Sequence, residues 1–177
     1  MTGVLLLTMT LLHPWTPPST FDVQTELQGL YDEISQATLQ FVTESDVDVF
    51  HDVLFTDDWV FIDATGHRQT WPQARERAIQ ALAEPHPEAL TQPIQKLSVA
   101  ADGVTVLADM KTVRTIVDNE GKYGRKGDSH TLTETTTFRD RWVKVSDKWK
   151  MKSREQVKAP TVSVGKTDRA AQGESES

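Results

Sequence analysis

At 177 residues the chain is long enough for one hydrophobic core and about one domain. It carries 19 Lys and Arg against 26 Asp and Glu, a formal charge of −7, which repels phosphate backbones and disfavours a nucleic-acid partner unless a basic patch is segregated. There are no cysteines, so disulfides, thiolate zinc sites and cysteine nucleophiles are excluded.

Residues 4–12 form an apolar run, VLLLTMTLL, followed by HPWTPPST. The run is too short to span a bilayer, which takes about 20 residues, so no membrane span is expected. It has the length of a signal-peptide core, yet no Lys or Arg precedes it and no A-x-A site follows. Two readings of residues 1–20 therefore stay open. One is a signal peptide on a secreted or periplasmic protein whose mature chain starts between His13 and Phe21; the other is an N-terminal extension on a cytoplasmic one.

Apolar side chains at Val23, Leu27, Leu30, Tyr31, Ile34, Ala37, Thr38, Phe41 and Val42 predict a helix over 22–43 with one inward stripe. Asp46 reads as the N-cap of a shorter helix that turns Val47, Phe50, Leu54 and Phe55 inward. Thr56, Asp57 and Asp58 read as a turn into a strand over 59–63, and Ala64-Thr65-Gly66 turns the chain back. Thr70 caps a third helix with Pro72 in its first turn, where no hydrogen bond is lost, and with Ala74, Ala78, Ile79 and Leu82 facing in. Beyond a proline-marked connector (Pro85, Pro87, Pro93) the period becomes two. Strands are predicted over 94–100, 104–117, 130–145 and 148–158, turning at Ala101-Asp102-Gly103, a Gly-rich loop over 119–129, and Ser146-Asp147. Residues 159–177 lack apolar periodicity and read as a disordered tail. Three helices followed by an antiparallel meander argue an α+β fold: a strongly curved sheet packed on one helical layer and enclosing a cone.

The late basic residues Arg139, Arg141, Lys144, Lys148, Lys150, Lys152, Arg154 and Lys158 alternate with apolar ones, as the solvated face of a half-buried sheet requires. Other motifs fall away. The five His residues (His13, His51, His67, His86, His130) lack ligand spacing, so no metal is expected. Gly121, Gly124 and Gly127 lie in a hairpin loop and form no phosphate cradle. No G-x-S-x-G nucleophile turn is present, and no cofactor is implied. Trp142 and Trp149 read as core or as a sheet-face contact between copies.

The segment DVDVFHDVLFTDDWVFIDATG and the late TTTFRDRWVKVSDKWKMKSREQV, in this element order, resemble the nuclear transport factor 2-like superfamily, in its SnoaL-like and ketosteroid-isomerase-like branch, over residues 21–158. The resemblance implies the cone-shaped fold, a homodimer, and a pocket for a small, largely apolar molecule. In some members that molecule undergoes proton transfer of the isomerase, cyclase or dehydratase type, while others are non-catalytic binding or assembly modules. It places Asp63 at the position of the general base. The oxyanion-donor tyrosine falls on Thr38, with Tyr31 two turns earlier the substitute. The second, protonated acid falls near Arg139–Asp140, where no acid stands in an evidently apolar setting.

Period-two reading puts Trp59, Phe61 and Asp63 on one face of the first strand. On the meander it groups Val104, Val106, Ala108, Met110, Thr112 and Arg114; His130, Leu132, Glu134, Thr136 and Phe138; and Trp149, Met151, Ser153 and Glu155. If those faces line the cone, an apolar wall carries Asp63, Arg114, His130, Glu134 and Glu155. The expected ligand contacts are Tyr31, Thr38, Trp59, Phe61, Met110, Arg114, His130 and Glu134. Asp63 reads either as a base raised in pKa by its aromatic neighbours or as a partner of Arg114 or a cap of the 64–66 turn. His130 reads as a proton shuttle or as an exposed strand start, and Glu134 and Arg114 as a pair across the cone that either anchors a ligand carboxylate or satisfies itself. A bulge would slip any of these faces by one residue.

Overall fold

The computed structural model describes residues 19–84 and 86–166; the apolar run of residues 4–12, and residues 167–177, lie outside them. Helix α1 (Thr20–Leu39) starts where the Ser19 hydroxyl accepts the Asp22 N–H. It buries Val23, Leu27, Tyr31 and Ile34, the predicted stripe. It ends before residue 43 because Thr43 is spent as the N-cap of α2 (Glu44–Leu54). Asp46, expected as that cap, instead closes a capping box: its carboxylate accepts the Thr43 N–H at 2.8 Å while the Thr43 hydroxyl accepts the Asp46 N–H.

The chain leaves α2 for extended backbone at Phe55, so strand β1 (Phe55–Ile62) begins four residues before the expected start at Trp59. Thr56, Asp57 and Asp58 lie in that strand and are not a turn. β2 (Arg68–Thr70) pairs antiparallel with β1, and α3 (Trp71–Ala81) follows behind a Thr70/Gln73 capping box with proline in its first turn. None of α3's residues is fully buried. It is tied across to α2 by Arg75, whose guanidinium donates to both Asp48 oxygens at 2.6 and 2.8 Å and to Glu44 at 3.3 Å.

The remaining strands are β3 (Ala89–Thr91), β4 (Ile94–Ala100), β5 (Gly103–Val117), β6 (Ser129–Val145), β7 (Lys148–Gln156) and β8 (Thr161–Lys166). The sheet runs β2-β1-β7-β6-β5-β3, with β4 also on β5 and β8 also on β6; among the described residues only the β1–β7 pairing is parallel. The predicted α+β cone is therefore the observed fold. Each long strand changes partner midway. β5 pairs with β4 over its first half and β3 over its second, and β6 with β8 and then β7, which lets the sheet curl. Gly103 (φ 140°) closes the β4–β5 hairpin where a Cβ would overlap the Trp142 carbonyl oxygen, so only glycine fits. Ser146 and Asp147, both at positive φ, make the expected two-residue β6–β7 turn.

Two differences from the sequence reading matter. Strand β8 occupies part of the expected tail, adding to the free edge of β6 through pairs such as Leu132↔Val164. In addition, β7 bulges at Lys152, since Arg141 faces Ser153 but Trp142 faces Met151. The extra residue flips the end of β7, so Arg154 and not Glu155 shares the concave face with Asp140. Glu155 turns outward and pairs with Arg139 at 2.8 Å. Other members of the late basic run are likewise spent on single acids: Arg141 on Asp102, Lys144 on Glu26 and Lys152 on Asp58. The concave face is the core, with Val104, Val106, Ala108, Trp142 and Met151 packed in one cluster with the buried stripe of α1.

Candidate functional site

A cavity of about 490 Å³ opens between α1, α2, α3 and the concave sheet, within the range of about 300–1,000 Å³ that small-molecule pockets occupy. It exists because α3 presents Ala74, Ala78 and Ala81 to it, small side chains that leave space a larger stripe would fill. The rest of the lining is largely aromatic. Trp59 stacks on Phe55 with centroids 4.7 Å apart, and Trp71 stands edge-on to both at 6.2 Å. Phe61 extends the wall toward Phe138. The polar residues lining the cavity are Thr38, Glu84, His86, Arg114 and Arg154.

Behind this wall lies a buried polar network. Asp140, with no exposed surface, takes a bidentate pair from Arg154 at 2.8 and 2.9 Å and the Tyr31 hydroxyl at 2.6 Å. Trp142 Nε1–H donates to the Tyr31 oxygen at 3.0 Å, and Arg154 also donates to Gln92, which donates on to Ser35. Burial, reinforced by the Asp140 charge, raises the Tyr31 pKa well above 10. Burial opposes the Arg154 charge, but Asp140 outweighs it and holds that pKa above its ordinary value. The guanidinium also lies on the Phe138 ring at 4.7 Å. Charge is thus neutralised within the network, and Arg154 is the member that reaches the cavity.

Of the sequence-predicted site residues, Thr38, Trp59, Phe61 and Arg114 line the cavity. The Thr38 hydroxyl is engaged with the Ile34 carbonyl at 2.8 Å. Tyr31 lies beneath the floor. Met110 is half-buried opposite Thr136, outside the lining. Glu134 stands opposite Thr112 and makes no ion pair with Arg114 among the described residues, because the register sets Arg114 against Leu132. His130, expected as a shuttle or an exposed strand start, is buried at 5% exposure beneath the 118–129 loop. There Asp118 approaches to 3.9 Å and Tyr123 meets the ring edge-on.

Asp63 falls one residue past β1 and caps the hairpin. Its Oδ1 accepts the Thr65 N–H at 2.9 Å, the Thr65 hydroxyl at 2.6 Å and the His67 N–H at 3.0 Å. The hydroxyl first, and then the two amides, hold the carboxyl below its ordinary 3.8, the opposite of what a general base near neutrality needs. Of the two readings of Asp63, the geometry holds the turn cap. A carboxylate with a lowered folded-state pKa stabilises the fold above its unfolded value, and that stabilisation is lost as pH falls through the folded one. Asp63→Asn will therefore be less stable than wild type near neutrality and equal to it in acid below the Asp63 midpoint. Urea unfolding at both pH values and carboxyl NMR titration check this; a midpoint above 3.8 would sink it.

The sequence reading missed Arg154 and Asp140 in these roles. It also named Phe55 only as a residue of α2. The available signal was parity: Asp140 sits between Phe138 and Trp142 on the inward face. Among the described residues no group of three or more His, Asp or Glu could hold a metal ion, and no helix is long and apolar enough to cross a membrane.

The sequence model of a family described as SnoaL-like domain matches residues 21–155. Among solved structures, a conserved protein from Planctomyces limnophilus DSM 3776 superposes with a TM-score of 0.52 at 11% identity, over 80% of this chain and 98% of that one. An NTF2-like protein from Cytophaga hutchinsonii ATCC 33406 gives 0.48 at 19% identity, over 78% and 97%. At these identities the likeness is one of fold. No curated protein matches the sequence.

Proposed function

This chain belongs to the SnoaL-like domain family, in the nuclear transport factor 2-like superfamily, and we propose that it binds a small, flat, largely apolar molecule in the cavity between its helices and the concave sheet. The observation that carries this reading is the stacked and edge-on set of Phe55, Trp59 and Trp71, which lines the same open space as the small alanine side chains of α3. Burying aromatic ligand surface against such rings is worth about 25 cal/mol per Å², and the preset ring geometry favours planar over branched ligands. Proton transfer by Asp63 forms no part of the reading, because that carboxylate is committed to its turn. The geometry thus favours a binding module, the non-catalytic alternative that the resemblance also allows.

The test is to close the cavity from its thin side. Ala78 lies on α3, whose outer surface is solvated, so Ala78→Phe directs a ring into open space without displacing core. N-phenyl-1-naphthylamine, a neutral fluorescent aromatic, is expected to bind wild type saturably. The variant is expected to bind it at least about ten-fold more weakly while its thermal unfolding stays within a few degrees of wild type. Equal binding by the two proteins would place the ligand elsewhere.

A further inference from the structure

The two cationic side chains that line the cavity are not equivalent. Arg154 is spent: Asp140 takes its charge in a bidentate pair and Gln92 takes a further hydrogen bond. Arg114 is half-buried, and among the described residues it makes neither an ion pair nor a side-chain hydrogen bond. Among the described residues no acidic group comes within ion-pair distance of it. Glu134 shares its face but stands opposite Thr112. Glu88 is turned to the Thr115 N–H at 2.9 Å. Glu84 lines the same cavity but is exposed at its mouth, as is His86, and neither comes within ion-pair distance. Asp140 is sealed beneath the floor.

A guanidinium held half out of water beside an aromatic wall loses hydration and gains nothing from a protein partner in return. A planar fork of donors in that position matches a carboxylate. We propose that the cavity selects an anionic ligand, a planar aromatic carboxylic acid, with its rings against Phe55, Trp59 and Trp71 and its carboxylate paired to Arg114. This rests on the cavity being the binding site and adds the chemical class of what enters it. The neutral Arg154–Asp140–Tyr31 floor makes the charge selection one-sided, since Arg114 is then the uncompensated charge inside.

The experiment compares 2-naphthoate with 2-naphthamide, the same rings with and without the charge, by quenching of tryptophan fluorescence. Wild type is expected to bind the acid about ten-fold or more tightly than the amide, with the advantage shrinking as salt is raised. Arg114→Gln is expected to lose that advantage while keeping the amide affinity, and Arg114→Lys to retain part of it. The retained amide affinity shows that the Gln variant still folds and still holds its cavity. Amide bound as tightly as acid by wild type, or an acid preference that survives in Arg114→Gln, overturns the anion assignment and leaves the cavity reading standing. Binding of neither compound overturns both.

Discussion

Replacing Asp140 by asparagine will destabilise the protein by about 3–5 kcal/mol, the range for breaking one side of a buried ion pair, as read by urea unfolding. Asparagine keeps the shape but removes the charge, so Arg154, pinned between the Phe138 ring and Gln92, becomes a cation in the core without a counter-ion. The Tyr31 hydroxyl loses its 2.6 Å charge-assisted acceptor at the same time. Removing both charges is a different experiment. The pair Asp140→Leu with Arg154→Met leaves no orphaned charge, so the double variant is expected to lose well under the sum of the two single losses. Additive losses, or an Asp140→Asn cost under about 1 kcal/mol, would mean that the pair behaves like an exposed one and that the floor of the cavity is wet. The residue matters for function through position: Asp140 is not among the cavity-lining residues, but it fixes Arg154, which is.

What the sequence made legible follows from where each signal is local. The α1 stripe, the proline-led start of α3 and the turns at Ala101–Gly103 and Ser146–Asp147 are each set by a few neighbouring residues, and they appear as expected. The family resemblance rests on the same strings, and the fold agrees with it. The site was less legible because it depends on register. One extra residue at Lys152 exchanges Arg154 for Glu155 on the inner face, and nothing in KWKMKSREQ announces that bulge. Asp63 was misleading for a related reason. Period two puts it on the inner face with Phe61, but the strand ends at Ile62 and hairpin chemistry takes over. His130 is buried by a loop without periodicity, and β8 is set in place by pairing across sequence distance. Such long-range events leave only weak local traces.

The second large effect is expected at Trp59, where fold and site share one side chain. The ring is 6% exposed, stacked on Phe55 and edge-on to Trp71, so Trp59→Ala merges its volume with the cavity and is expected to cost about 3–5 kcal/mol. Ligand binding should fall with it. Trp59→Phe separates the two roles. Among the described residues the indole N–H is buried without a hydrogen-bond partner, an arrangement that costs about 1–3 kcal/mol, so a phenyl ring at this position loses area but also discards an unsatisfied donor. The expected result is a phenylalanine variant within about 1.5 kcal/mol of wild type, the ordinary limit for a tolerated apolar exchange, that still binds N-phenyl-1-naphthylamine. Unfolding curves for the three proteins, with probe titrations alongside, decide it. If the phenylalanine variant falls as far as the alanine one, the indole N–H has a partner in solution, and a buried water or a polar group of the natural ligand must be sought beside Trp59.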